Sequence, residues 1–199
     1  MAAEAPDVRH NIPNLLTLAR VLAVLPFCAA FWLPGAAAGW TALALFAAAA
    51  ATDWFDGWLA RRWRVQSDFG RWLDPIADKL PVAAALVMLL AAGRLGPASA
   101  LAVIVIVGRE ILISGLREYL GQKQVVVAVT RVAKWKTAAQ LLAVVLLLLA
   151  MTDLGAPLQP AAPALLWVAA ALTAWSGAEY VAKGLPHMRS GAQQEKQPR

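Results

Sequence analysis

The chain has 199 residues, of which 60% are hydrophobic and only 15% are charged, and its mean hydropathy is +0.60. This composition lies outside the usage of soluble globular proteins and indicates a membrane protein. The net charge of +6 could suggest nucleic acid as a partner. However, the basic residues follow one membrane face, and the chain has no separate soluble domain. Membrane topology and attraction to anionic lipid therefore explain the charge, and a nucleic-acid partner is excluded.

Six apolar segments of about 20 residues follow one another, each long enough to cross a hydrocarbon core of about 30 Å. We place the spans near 13–33, 39–61, 71–92, 97–120, 132–152 and 160–182. Their connections are short, so the predicted fold is all-α: a polytopic six-transmembrane-helix bundle with a short N-terminal interfacial segment. Residues 1–186 form a single membrane domain and residues 187–199 a polar cytoplasmic tail, and Pro81 predicts a kink in the third helix.

The basic residues predict the orientation of the bundle. Alternating the faces of the six spans places 17 of the 18 Lys and Arg residues on or nearest one side, and only Arg94 on the other. Positive residues near span ends are retained in the cytoplasm. Both termini and the loops at 62–70 and 121–131 are therefore expected on the cytoplasmic side of the membrane.

Four aspartates occupy span ends, where acidic residues are costly. Asp53 and Asp56 share one face of the second helix, and Asp74 and Asp78 share one face of the third. The pairs are symmetric about the intervening cytoplasmic turn, so an equal rise per residue predicts that all four carboxylates converge. Such a cluster suits a hard divalent cation such as Mg²⁺ or Mn²⁺ together with a substrate phosphate. Salt bridges with nearby arginines, or a proton or cation pathway, are the alternatives.

The same segment resembles the signature of the CDP-alcohol phosphatidyltransferase family at every fixed position. The matching residues are Asp53, Asp56, Gly57, Ala60, Arg61, Gly70, Asp74 and Asp78. Further blocks look like those of the bacterial CDP-diacylglycerol–glycerol-3-phosphate 3-phosphatidyltransferases, which make phosphatidylglycerophosphate. These blocks are NIPNLLTLAR at 11–20, TDWFDGWLARR at 52–62, LDPIADK at 73–79, GREILISGLREYL at 108–120 and VAKWKTAAQ at 132–140.

The resemblance implies a metal-dependent reaction in which a hydroxyl attacks the phosphatidyl phosphorus of CDP-diacylglycerol and CMP leaves. It implies a bacterial inner-membrane enzyme of phospholipid biosynthesis, a homodimer, and two Mg²⁺ or Mn²⁺ ions. The site residues follow in the same way. Asp53, Asp56 and Asp74 would be metal ligands, and Asp78 a ligand and general base. The CDP-diacylglycerol pocket would be lined by Asp56, Gly57, Ala60, Arg61 and Gly70.

Glycerol-3-phosphate as the acceptor requires a cationic subsite, because it carries a phosphate dianion. Arg109 lies inside the fourth helix, where an arginine is functional by default. We expect Arg109, Arg117, Arg131 and Lys134 to bind this phosphate. Glu110 is expected to pair with Arg109 or Arg117, and Lys136 is assigned to membrane topology alone.

Other acceptors and other protein classes compete with this interpretation. Within the family the acceptor could be inositol phosphate, serine or phosphatidylglycerol, although the blocks of helices 4 and 5 favour glycerol-3-phosphate. An intramembrane prenyltransferase would show two aspartate-rich motifs, and this chain has one. A cation or proton carrier would distribute acidic groups through the membrane depth, whereas the outer halves of these helices are almost purely apolar.

Overall fold

The structure, a computed structural model, describes the backbone of residues 8–63, 68–125, 128 and 130–194. Across these ranges the chain forms seven α-helices and two short 3-10 turns, without a strand. The α-helices are α1 (Val8–Ala29), α2 (Ala36–Trp63), α3 (Asp68–Ala77), α4 (Leu80–Ala91), α5 (Ser99–Gln122), α6 (Arg131–Leu149) and α7 (Ala161–Gln194). The turns are Ala30–Trp32 and Ala156–Leu158. The all-α prediction is confirmed.

Within the described chain, five helical segments are long and apolar enough to cross a membrane. They are Asn14–Trp32, Ala36–Phe55, Ser99–Gln122, Val132–Leu149 and Ala161–Pro186. Each overlaps one of the predicted spans, so the polytopic membrane architecture is confirmed. The predicted interfacial segment is helical from Val8 onward and continuous with α1, whereas residues 1–7 lie outside the described residues.

The remaining predicted span, 71–92, is divided between α3 and α4 by a turn at Asp78 and Lys79. Pro81 explains the position of this break, because proline has no N–H to donate to the carbonyl of Ala77, where α3 ends. The Lys79 N–H donates instead to the Ile76 carbonyl, and the Lys79 Nζ donates to the Pro75 carbonyl at 2.7 Å. The predicted kink is therefore a helix boundary, and it places Asp78 in a turn.

The chain divides into two compact units, of which the first comprises Met1–Arg94 and Val145–Gln159. Here α1 packs against α2, α3 and α4. Phe27 and Phe46 are buried between α1 and α2, with ring centroids 6.3 Å apart. The indole of Trp40 donates to the carboxylate of Asp153 at 2.9 Å, which gives this acidic residue of the turn after α6 a structural partner.

The second unit comprises Leu95–Val144 and Pro160–Arg199, and its main contact is between α5 and α7. Ile113, Leu120 and Tyr180 form its buried apolar cluster. The Gln140 amide of α6 donates to the Thr173 hydroxyl at 2.8 Å, and this hydroxyl donates to the Ala169 carbonyl at 2.6 Å. These buried polar groups are thus satisfied, which fixes α6 and α7 in register.

Candidate active site

The aspartate motif is organised by two residues of α1, in the first unit. Thr17 and Arg20 are three positions apart, so they share a helix face, and both are buried, with 3% and 4% of their surface exposed. Arg20 Nη1 donates to Asp53 Oδ1 at 2.6 Å and to Asp78 Oδ1 at 2.9 Å. Since both carboxylates accept from one nitrogen, Asp53 and Asp78 lie side by side.

Asp74 is bound to the same helix, one turn before Asp78. Its Oδ1 accepts a hydrogen bond from the Thr17 hydroxyl at 3.0 Å. Three of the motif's four aspartates are therefore fixed along one face of α1, close to where the symmetry of the motif predicted them. Of the other motif residues, Gly70 is buried. The side chains at Asp56, Gly57, Ala60 and Arg61 lie outside the described residues.

Asp78 lies in the turn between α3 and α4, outside the five candidate spans. Partial burial, followed by the negative charge of Asp53, raises the pKa of the Asp78 carboxyl to about 7, while the charge of Arg20 acts in the opposite direction. A carboxyl group with this pKa can exchange a proton near neutral pH.

The donor chemistry of this cluster fits a hard divalent cation, although the described residues alone do not complete a site. Among the described side chains no three carboxylate, histidine or cysteine groups are arranged to hold a metal ion. However, Arg20 Nη1 donates to Oδ1 of Asp53 and of Asp78, and both carboxylate side chains remain about half exposed, at 52% and 51%. The carboxylates are thus partly accessible, and oxygen-only donors are those that Mg²⁺ and Mn²⁺ prefer.

A second polar site lies in the other unit. A cavity, called here the basic cavity, is lined by Arg109, Arg117, Ala128, Thr130, Ala133, Ser176, Tyr180 and Lys183. The Arg117 guanidinium lies 5.7 Å from the centroid of the Tyr180 ring, within the range of a cation–π contact. Three cations and several hydroxyl groups around one cavity are suited to a small anion.

Two hydrogen-bond acceptors, Glu110 and Ser176, fix the orientation of Arg109. Arg109 Nη1 donates to Glu110 Oε1 at 3.4 Å, as the sequence predicted, and Arg109 Nη2 donates to the Ser176 hydroxyl at 3.3 Å. Glu110 also accepts from Lys136 Nζ. Lys136 is 5% exposed, so assigning it to membrane topology alone was wrong: a buried ammonium needs a charged partner, and Glu110 supplies it.

The acceptor residues predicted from sequence divide into two groups. Arg109 and Arg117 line the basic cavity, whereas Lys134 is exposed and is not among the lining residues. The side chain of Arg131 lies outside the described residues. Sequence reasoning missed Lys183, Tyr180 and Ser176, although their spacing of three and four positions on α7 would have signalled one polar helix face.

Thr17 and Arg20 were also missed as site residues. Arg20 interrupts the apolar run of the first span, and a charged residue in such a segment should have been examined for a buried acidic partner.

Comparisons with known proteins show a family and relatives that match most of this sequence. Residues 10–175 match the family model of CDP-alcohol phosphatidyltransferase. The chain is 38% identical to a CDP-diacylglycerol–glycerol-3-phosphate 3-phosphatidyltransferase of Cereibacter sphaeroides, over 90% of this chain and 97% of the relative. It is 45% identical to the enzyme of that name from Sodalis glossinidius, over 86% and 93% of the two chains. A cardiolipin synthase (CMP-forming) of Oryza sativa is 40% identical, over 89% of this chain and 58% of the relative.

Proposed function

Because the chain belongs to the CDP-alcohol phosphatidyltransferase family, we propose that it transfers the phosphatidyl group of CDP-diacylglycerol to glycerol-3-phosphate. The products are phosphatidylglycerophosphate and CMP. Two relatives named CDP-diacylglycerol–glycerol-3-phosphate 3-phosphatidyltransferase, 38% and 45% identical over most of the chain, support this activity. The observation that carries the choice of acceptor is the basic cavity, where Arg109, Arg117 and Lys183 lie together with hydroxyl groups. A phosphate dianion is the substrate group that such a cavity binds well.

The aspartate cluster carries the chemical step in this proposal. Asp53, Asp56, Asp74 and Asp78 would hold two Mg²⁺ or Mn²⁺ ions, and such ions would supply positive charge to neutralise the reacting phosphate. Arg20 and Thr17 orient three of these carboxylates. Family resemblance assigns the CDP pocket to Asp56, Gly57, Ala60, Arg61 and Gly70, with Arg61 donating to the diphosphate.

Proton transfer is the role of Asp78. The acceptor hydroxyl oxygen forms a bond to the phosphatidyl phosphorus while the bond from this phosphorus to the CMP oxygen breaks. Asp78 takes the hydroxyl proton, and CMP leaves with the electron pair of the broken bond. A pKa near 7 for Asp78 supports this assignment, because a base of that strength is deprotonated in half of the molecules at neutral pH and still accepts a proton readily.

Topology and assembly complete the proposal. The asymmetry of 17 basic residues against one supports an orientation with both termini and the active site on the cytoplasmic side. Family resemblance supports the bacterial inner membrane as the location. CDP-diacylglycerol then keeps its acyl chains in the bilayer while its diphosphate meets the aspartates. Family resemblance supports a homodimer and a single membrane domain over residues 1–186.

One observation favours a second acceptor. The Oryza sativa relative is named a cardiolipin synthase, and phosphatidylglycerol is the acceptor that such an enzyme would use. Phosphatidylglycerol carries a phosphodiester monoanion, so it would make less use of the three cations of the basic cavity than a phosphate dianion does.

An acceptor panel tests the proposal. The purified full chain in detergent receives CDP-diacylglycerol and Mg²⁺ with glycerol-3-phosphate, phosphatidylglycerol, inositol phosphate or serine in separate reactions, and the lipid product is identified by mass. Phosphatidylglycerophosphate as the main product is expected. Cardiolipin from phosphatidylglycerol would move the assignment to the second candidate, and a product from inositol phosphate or serine would refute the acceptor assignment.

A further inference from the structure

Arg109 reaches the basic cavity across the surface of α7, and it does so at a glycine. A Cβ atom built on Gly177 would lie 2.8 Å from Arg109 Cγ, 3.4 Å from Nε and 3.7 Å from Cδ. Gly177 is buried in the middle of α7, and no left-handed backbone angle requires a glycine there. The glycine therefore serves to leave room for the stem of Arg109, which lies flat on the α7 backbone.

The neighbouring residue, Ser176, fixes the other end of the same side chain. Its hydroxyl donates to the Thr173 carbonyl at 3.1 Å, so its lone pairs remain to accept from Arg109 Nη2 at 3.3 Å. Ser176 is 3% exposed and lines the basic cavity. Gly177 under the stem and Ser176 at the guanidinium thus define one conformation of Arg109, with Glu110 on the opposite edge.

We propose that Gly177 and Ser176 are positioning residues, which fix the Arg109 guanidinium for the phosphate of the acceptor. This inference rests on the proposed function. Neither residue touches the reacting atoms: Gly177 acts by having no side chain, and Ser176 acts by accepting one hydrogen bond. Acceptor binding in this protein is then set by α7 as much as by the cationic residues of α5.

A methyl group at position 177 has a specific consequence. A contact of 2.8 Å is shorter than carbon atoms tolerate, so one partner must move. The atom concerned is Cγ, near the root of the arginine side chain. A small rotation at the end of the chain cannot relieve the contact, and the whole side chain must change rotamer. The guanidinium then leaves Ser176 and the cavity, which removes a charge-assisted hydrogen bond to the acceptor phosphate.

The experiment compares glycine-to-alanine variants of the full chain in detergent. Gly177→Ala is expected to raise the KM for glycerol-3-phosphate about tenfold, since one charge-assisted hydrogen bond corresponds to roughly that factor. The KM for CDP-diacylglycerol and kcat at saturating acceptor should stay within about twofold. Ser176→Ala, which removes no backbone space, should raise the same KM by a smaller factor. Inorganic phosphate, used as a competitive probe of the cavity, should bind both variants more weakly.

Two further glycines provide matched controls. A Cβ atom at Gly115 of α5 meets nothing within 4 Å, and one at Gly184 of α7 meets only the flexible ends of Leu120 and Leu116, at 3.2 and 3.4 Å. Gly184→Ala therefore tests the packing of α5 against α7 without touching Arg109. Both controls should keep the acceptor KM of the unmodified chain, and thermal melting reports whether each variant is folded.

The outcomes separate this inference from the proposed function. If Arg109→Ala raises the acceptor KM while Gly177→Ala and Ser176→Ala do not, the positioning role is wrong and the acceptor pocket stands. If Arg109→Ala itself leaves the acceptor KM unchanged, the assignment of the pocket fails. Should Gly177→Ala not fold, an unchanged acceptor KM in Ser176→Ala overturns the inference.

Discussion

Asp78 accepts a 2.9 Å hydrogen bond from Arg20, a residue 58 positions earlier in the chain whose side chain is only 3% exposed. The same nitrogen also donates to Asp53, so a buried cation of α1 joins the first and last carboxylates of the motif. A guanidinium is suited to this task, because it stays charged when buried and presents several donors in a fixed plane. Residues that orient metal-binding carboxylates in this way affect activity although they touch no substrate.

Replacing Arg20 with Met should lower kcat by about 10- to 100-fold, the usual cost of removing a group that orients metal ligands. Arg20→Lys should lose less, because it keeps the charge but presents a point donor instead of a planar set. Thr17→Val, which removes only the hydrogen bond to Asp74, is the milder comparison. The measurement is the rate of CMP release at saturating substrates. Activity of Arg20→Met within about twofold of the unmodified chain would contradict an orienting role.

The acid limb of the pH profile of kcat/KM should reflect protonation of the Asp78 carboxyl. Its pKa of about 7 means that the carboxyl is protonated below that pH and cannot accept the hydroxyl proton. At limiting divalent cation, kcat/KM for the acceptor should therefore fall about tenfold per pH unit on the acid side. Since a bound cation favours the carboxylate, the midpoint should move to lower pH as the Mg²⁺ concentration rises. A profile that is flat across neutral pH at limiting Mg²⁺ would exclude Asp78 as the base.

Substitutions at Lys134 and Lys183 test which of these two lysines binds the acceptor phosphate. Lys134 was predicted from sequence to bind the acceptor, whereas Lys183 lines the basic cavity. Lys183→Ala should raise the KM for glycerol-3-phosphate about tenfold, and Lys134→Ala should raise it less, because Lys134 is not among the residues that line the cavity. The KM for CDP-diacylglycerol serves as the internal control. A larger effect of Lys134→Ala than of Lys183→Ala would support the sequence prediction. It would also refute the assignment of the basic cavity to the acceptor phosphate.

The buried ion pair of Lys136 and Glu110 should stabilise the fold, because each side chain neutralises the charge of the other. Lys136→Met leaves a carboxylate that is largely buried with only Arg109 to balance it, so thermal stability should fall markedly, by the equivalent of about 3 kcal/mol. Adding Glu110→Gln should recover part of the loss, since it removes the buried carboxylate that lost Lys136. The recovery should be incomplete, because Arg109 then has no carboxylate at position 110. Melting temperatures in detergent measure both. Additive losses in the double variant would show that the pair does not couple.

The sequence predicted the helices and the proximity of Asp53 to Asp78 because both depend on local periodicity. Spans follow from the length of apolar runs, and the meeting of Asp53 with Asp78 follows from an equal rise on either side of one turn. The aspartates and Gly70 also belong to a family signature that is recognised from the fixed spacing of its residues. For the third span the sequence predicted a kink from Pro81, whereas the structure has a helix boundary between Ala77 and Leu80.

Contacts between distant segments could not be derived in the same way. Arg20 meets Asp53 and Asp78 across 33 and 58 positions, and apolar periodicity does not state which helix faces which. The selection of Lys183 over Lys134 depends on the rotation of α6 and α7 about their axes. Lys136 was misjudged for the same reason, because a basic residue near a span end is explained by topology until its buried partner is known.

The proposed reaction predicts that CMP release depends on both a divalent cation and the acceptor. The full chain in detergent is given CDP-diacylglycerol, with and without glycerol-3-phosphate and with Mg²⁺, Mn²⁺ or a chelator, alongside Asp78→Asn. We predict CMP release that requires both glycerol-3-phosphate and a divalent cation and that collapses in Asp78→Asn while the variant remains folded. Release that is independent of the acceptor or of the cation, or that persists in Asp78→Asn, would contradict the account.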